Sequence, residues 1–388
     1  MAQTRTRKKI VIKGNDYDGC LGWLAILLNT DFIKTYELHK ELVNEIGQYP
    51  ANAKISALFL EKFLEKSDYG KKIATQAKHL GIEKIILISS SNRQDIKTDV
   101  FNRIHNRESH GGHDNGSAFL FLSTFASFLK KRLGDKIEKD QRTLSDIWKG
   151  KNFGCEYEQV KEFCECYDIK KFNQDDKNLN NFLEDFKKID EEKNKDSFFN
   201  HSKIPLLYAQ MHSFAKEHKD NDILFEFYDD RKDICLALYY AFSKFPELLP
   251  ENVDFKIYRY SPAPNINGNE KIIKGSVLKN AYGTPLSEDG YHIIKGDGKI
   301  DKNYQENVKK LHAIYQDFSL LTGTDIGKDI LELETIGFVL RKFKKEHRKD
   351  LQESALIANS LLSNSPSNKL PHESSEQDKS YTNKMEAL

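Results

Sequence analysis

The stretch IVIKGNDYDGCL, residues 10–21, joins a short apolar run to a polar turn holding two aspartates and a glycine. Ile10–Ile12 has the character of a buried strand, and Asp16-Tyr17-Asp18-Gly19 stands where that strand would end. Two more stretches repeat the form. Ile85–Ile88 runs into Ser89-Ser90-Ser91-Asn92-Arg93, and Ile223–Tyr228 runs into Asp229-Asp230-Arg231-Lys232-Asp233. Each is followed by a helix-like pattern, which is the βα rhythm of a doubly wound sheet. A fourth run, Val253–Tyr260, follows the helix-like Ile234–Phe245 and extends the same sheet. The fold class expected is α/β, built on a parallel sheet.

The chain has 388 residues, enough for two or so domains. It carries 60 Lys+Arg against 59 Asp+Glu, and a formal charge of +1 argues against a protein that coats nucleic acid. No apolar run approaches the roughly 18–20 residues of a membrane span. The basic start, MAQTRTRKK, leads only into Ile10–Ile12, so it does not read as a secretory signal peptide. Five scattered cysteines make no disulfide framework, and a soluble protein of a reducing compartment is expected. The near-zero charge hides a segregation. Residues 1–15 hold Arg5, Arg7, Lys8, Lys9 and Lys13 with no acid, and residues 341–349 (RKFKKEHRK) hold six bases and one acid.

Residues 1–92 and 195–262 are expected to form a discontinuous core, and 93–194, mostly helical and charge-rich, a cap or insert. Turn signals at Asn267-Gly268, Asp289-Gly290 and Asp297-Gly298 mark a hairpin-rich excursion, with a helical C-terminal region completing 263–360. The Ser/Asn-rich end, 361–388, reads as a disordered tail.

Open α/β sheets place their ligands at the carboxyl ends of the strands. Counted from the first apolar residue, Asp16, Ser91 and Asp229 each fall at the seventh position, from Ile10, Ile85 and Ile223. Adjacent parallel strands would bring a carboxylate, a hydroxyl and a carboxylate pair to one rim. That set suits phosphoryl transfer. Asp16 would attack phosphorus, and Asp18, two residues on and on the same side of an extended chain, would protonate the leaving oxygen and then activate water. Mg²⁺ takes hard oxygens, so Asp16 with Asp229 or Asp230 fits it. Gly19 lets the backbone turn closely, and Ser91 would hold a phosphate oxygen. Lys203, opening the helix-like Ile204–Lys216, would add a cation beside a helix N-terminus.

In this order DYDGCL, SSN, Lys203 and FYDD resemble the four motifs of the haloacid dehalogenase (HAD) superfamily of phosphatases. The resemblance covers about 1–110 and 195–262. It implies a HAD-like Rossmannoid sheet, Asp16 as the nucleophile that becomes an aspartyl-phosphate, and Asp18 as acid/base. It further implies Ser91, Asn92 and Lys203 around the phosphate, with Asp16, Asp18, Asp229 and Asp230 about Mg²⁺. Ser89 and Ser90 compete with Ser91 for the hydroxyl role. Lys13-Gly14-Asn15 departs from the pattern, since the family runs apolar residues up to the nucleophile. SNRQD, SKIPLLYAQMHSFA and FEFYDDR are similar to a narrower group, the type IV-secreted effector protein tyrosine phosphatases of Legionella. That implies a phosphorylated host protein or peptide as substrate, delivery to the host cytosol without a signal peptide, and a secretion signal in the Glu-rich tail (HESSEQD). A small-metabolite phosphatase and a catalytically weak binding module stay open beside it.

Blander readings apply elsewhere. Asp233 reads as a first-turn helix acid. His110-Gly-Gly-His113 lacks further ligands at zinc-like spacing, as do Cys155, Cys164 and Cys166. Leu333, Ile336, Leu340 and Phe343 share one helical face, and the basic end beyond them is first a solvated flank. Its functional alternative is contact of Lys342, Lys344, Lys345 and Arg348 with an anionic, phosphoinositide-bearing membrane.

Overall fold

The computed structural model describes residues 7–17, 20, 64–65, 67–95, 98–99, 117–166, 203–229, 231–259, 293–322 and 336–346. Within them one sheet holds β1 (Lys9–Asn15), β2 (Ile82–Ser89), β3 (Ile137–Lys139), β4 (Asp222–Asp229), β5 (Val253–Arg259) and β6 (Ile294–Lys295). The spatial order is β3-β2-β1-β4-β5-β6. The first five are parallel and β6 is antiparallel to β5, so the class is α/β with a mixed, mostly parallel sheet. The first three apolar runs of the sequence lie in β1, β2 and β4, and the fourth lies in β5 as far as Arg259, Tyr260 being outside the described residues.

Both faces of this sheet are covered, which is why its strands read as continuous apolar runs. On one face Ile10, Ile12, Phe225, Phe227 and Phe255 pack against α5 (Ile204–Glu217), α6 (Lys232–Lys244) and α7 (Tyr304–Thr322). On the other, Val11, Ile85 and Leu87 pack against α1 (Asp68–Lys78) and α2 (Ala118–Leu133). Two short helices, α3 (Leu144–Trp148) and α4 (Cys155–Cys166), follow β3. The helix starts carry local signals. Ser67 and Ser117 accept backbone N–H bonds at the N-caps of α1 and α2, and Thr143 with Asp146 forms a capping box on α3.

The segment 93–194, expected to stand apart as a cap, contributes β3 and α2 to the sheet layer itself. The 263–360 segment likewise supplies β6 and α7. Strands of three and two residues leave no periodicity to find. Residues 1–343 form one compact unit and 344–388 another, of which only 344–346 are described. The turn-rich 262–292 and the tail lie outside the described residues. None of the described helices is long and apolar enough to cross a membrane.

Candidate functional site

The strand order reverses between β1 and β4, and a doubly wound sheet opens its ligand crevice at that point, outside the strand ends. Ile10 pairs with Ile223, and the register runs unbroken to Asn15 opposite Tyr228. Asp16 and Asp229 are therefore level, as the equal depth counts imply. The Asp16 N–H donates to the Tyr228 carbonyl at 2.8 Å, which ties the turn after β1 to the end of β4. Both carboxylates are buried, and both accept from one ammonium. Lys203 Nζ donates to Asp16 Oδ1 at 2.5 Å and to Asp229 Oδ2 at 2.7 Å.

Lys203 holds this place at a backbone cost. It is the N-cap of α5 with φ 58° and ψ 4°, the one positive φ of a non-glycine among the described residues. A left-handed residue with a Cβ costs roughly 1–2 kcal/mol, and such strain persists where the surroundings over-determine it. Burial by itself would lower the Lys203 pKa, but the charges of Asp16 and Asp229 and their hydrogen bonds outweigh it and raise it above the usual lysine value. The group stays an ammonium at neutral pH. Asp229 Oδ1 is taken by the Arg231 N–H at 2.9 Å, so this side chain is held at both oxygens.

The three serines that end or follow β2 are distinguished by their partners. Val11 pairs with Ile85, so Ser90 is level with Asp16 and Ser91 lies one residue beyond, because a register shift after Lys9 sets Ile10 opposite Lys84, one residue before the apolar run. Ser90 Oγ donates to Gln210 Oε1 at 2.7 Å, and Gln210 Nε2 donates to the Ser89 carbonyl at 2.9 Å. Ser91 Oγ accepts from the Arg93 N–H at 3.4 Å, and Ser89 Oγ is buried with no partner among the described residues. Asn92 is half-buried in the turn that follows. Tyr17 is buried against Phe121, with the Arg93 guanidinium 5.0 Å from its ring, and so anchors the chain just after Asp16.

Asp18 and Asp230 lie outside the described residues, as do His110, His113 and Arg348 and the side chains of Cys164 and Cys166. Among the described residues no group of three or more His, Cys, Asp or Glu is placed to hold a metal ion. The two carboxylates that do converge are hard oxygen donors of the kind Mg²⁺ accepts, and in this sense the donor chemistry fits it. Cys20 and Cys235 are buried thiols and Cys155 a half-buried one, none of them in a disulfide. Asp233 sits in the first turn of α6 and pairs with Arg231 at 2.5 Å. Of the basic C-terminal residues, Lys342 lies 3.9 Å from Asp317.

Sequence reasoning missed Gln210, which fastens the end of β2, and the reason for Gly14. A Cβ on Gly14 would stand 2.5 Å from Ser90 Oγ and 2.8 Å from the Phe225 ring, so the hydroxyl held by Gln210 leaves room only for glycine. It also missed a buried ion pair, Lys13 Nζ to Glu226 Oε2 at 2.6 Å, which accounts for the buried one of the two lysines in β1. A signal was available: Lys13 and Glu226 each stand fourth in their runs, at equal depth. Comparison with protein-family models, with curated proteins and with solved structures finds no match to this chain.

Proposed function

We propose that this protein is a Mg²⁺-dependent phosphatase that hydrolyses phosphomonoesters through an aspartyl-phosphate on Asp16, with protein phosphotyrosine as its substrate class. The observation that carries the reaction is the convergence of Asp16 and Asp229 on the Lys203 ammonium at the reversal point of the sheet. A level pair of buried carboxylates sharing one cation is costly as mere scaffolding, because each charge has left water. It suits a site that must receive a phosphate and a metal together.

The chemistry follows from the side chains. Asp16 gives an electron pair to phosphorus while the bond to the leaving oxygen breaks, and Asp18 gives that oxygen its proton. A water then attacks the acyl phosphate, Asp18 takes the water's proton, and the bond from Asp16 to phosphorus breaks to release inorganic phosphate. Lys203, kept protonated by its two partners, orients Asp16 and offsets negative charge on the phosphoryl oxygens. Ser91 and Asn92 hold those oxygens. When bound, Mg²⁺ would mask phosphoryl charge, with Asp16 and Asp229 as donors and Asp18 and Asp230 completing the acidic set.

The phosphotyrosine half of the proposal is supported only by the resemblance of SNRQD, SKIPLLYAQMHSFA and FEFYDDR to the effector phosphatases. That resemblance also supports action on host proteins after translocation. Phosphate release from phosphotyrosine peptides and from small phosphomonoesters, with Mg²⁺ and with chelator, tests both halves. Release should need the metal, favour the peptides, and fall by about three orders of magnitude or more in Asp16→Ala. Equal turnover by wild type and Asp16→Ala would defeat the mechanism; a preference for small metabolites would defeat the substrate assignment alone.

A further inference from the structure

On the sheet face covered by α1, one row of the register holds Lys13 on β1, Glu226 on β4 and Lys256 on β5, side by side. Lys72 of α1 descends onto the same row and reaches Glu226 Oε1 at 2.5 Å. Two ammoniums therefore reach one carboxylate, and a third lysine, Lys256, stands beside it in the row. Glu226 is already saturated, accepting from Lys13, Lys72, Tyr228 and Gln76. Asp254 lies two residues before Lys256 on the same face, but no ion pair joins the two among the described residues. The tyrosines are neutral there: burial, with Glu226 close by, raises both Tyr228 and Tyr258 above the usual phenol range.

The surplus positive charge is not sealed in. Lys13 is fully buried, but the Lys72 side chain is 29% exposed, and Lys256 and Tyr258 are half-buried. Lys72 Nζ lies 3.8 Å and Lys256 Nζ 5.1 Å from the centre of the Tyr258 ring, so both ammoniums gather about one aromatic rim. Burial lowers the Lys72 pKa to about 8; Glu226 pulls it back up, and repulsion by Lys13 and Lys256 adds to the lowering.

We propose that this face carries a second anion site, where the ammoniums of Lys72 and Lys256 hold a tetrahedral oxyanion of the phosphate class beside the Tyr258 ring. Ammoniums act as point charges suited to phosphate, and the two cations beside the Tyr258 ring are ammoniums rather than the flat arginine fork that matches carboxylates. The site is distinct from the Asp16 centre. It lies on the opposite face of the sheet and three residues back along the strands, roughly 10 Å at strand rise. It stands whether or not the phosphatase reading holds.

Inorganic phosphate at constant ionic strength is the probe, without added metal. Binding is followed by calorimetry and by the rate at which an amine-reactive ester acylates each lysine, read by peptide mass spectrometry. Phosphate should protect Lys72 and Lys256 more than other lysines, and Lys256→Gln should weaken binding about tenfold, the loss of one charge-assisted contact. Protection should persist in Lys203→Gln, whose catalytic cation is gone. The labelling arm uses wild type, so it stands if a variant fails to fold. Absence of protection at Lys72 and Lys256, or protection that vanishes in Lys203→Gln, overturns the site.

Discussion

Lys203 combines an unfavourable backbone with a favourable side chain, and the two separate by mutation. Lys203→Gly and Lys203→Ala both remove the ammonium and leave Asp16 and Asp229 facing each other. Glycine alone adopts φ 58° without strain. Lys203→Gly should therefore be more stable than Lys203→Ala by about 1 kcal/mol in urea denaturation, while both lose activity about a hundredfold or more. Equal stability would mean that the left-handed turn is not retained. The serines separate in the same way. Ser90→Ala leaves the Gln210 amide oxygen without its donor and should cost about 1–3 kcal/mol of stability, with turnover changed only a few-fold. Ser91→Ala should do the reverse, lowering turnover and leaving the urea midpoint nearly unmoved. If Ser90→Ala takes the activity instead, the phosphate hydroxyl is one position earlier.

At the scale of elements, β1 and β4 are joined by Lys13 and Glu226 behind the site, and α1 is tied to them through Lys72 and Tyr69, whose hydroxyl donates to Asn15 Oδ1 at 2.7 Å. Glu226 is buried, which alone would raise its pKa, but Lys13 and Lys72 pull it down to about 2. Its folded value is thus below its unfolded value of 4.5. The stability it contributes is complete above the unfolded value and is lost as pH falls toward 2. Lys72 has the same sign in an alkaline window: its folded value of about 8 lies below 10.5, so the unfolded chain binds more protons between them and stability rises with pH there too. Thermal melts across pH should show both limbs, and Glu226→Gln should flatten the acid one. Lys13→Met leaves a buried carboxylate short of a partner and should cost about 3–5 kcal/mol. Combined with Glu226→Gln, the loss should be smaller than the sum of the two, since the pair shares one interaction. Additive losses would show that the two side chains are not coupled.

Across the whole molecule, the central sheet was legible because its strands are buried on both faces and need apolar runs to be so. Asp16 and Asp229 were legible as a pair because equal strand depth becomes register when neighbours are parallel. Ser91 was misjudged in depth by one residue, since the register shift that sets Ile10 opposite Lys84 leaves no apolar signal. β3 and β6 were invisible at three and two residues, which made the parts of 93–194 and 263–360 that join the sheet look separate. Lys13 and Glu226, 213 residues apart, meet only because the register sets them abreast. The central claim is that Asp16 is the nucleophile, and an acyl phosphate is chemically unlike any other phosphoryl-enzyme. Borohydride quenching during turnover of a phosphotyrosine peptide, followed by peptide mass spectrometry, reads it directly. The account predicts homoserine at position 16, formed only with substrate and Mg²⁺ present. Steady phosphate release with Asp16 left intact, or with the reduced residue elsewhere, would contradict it.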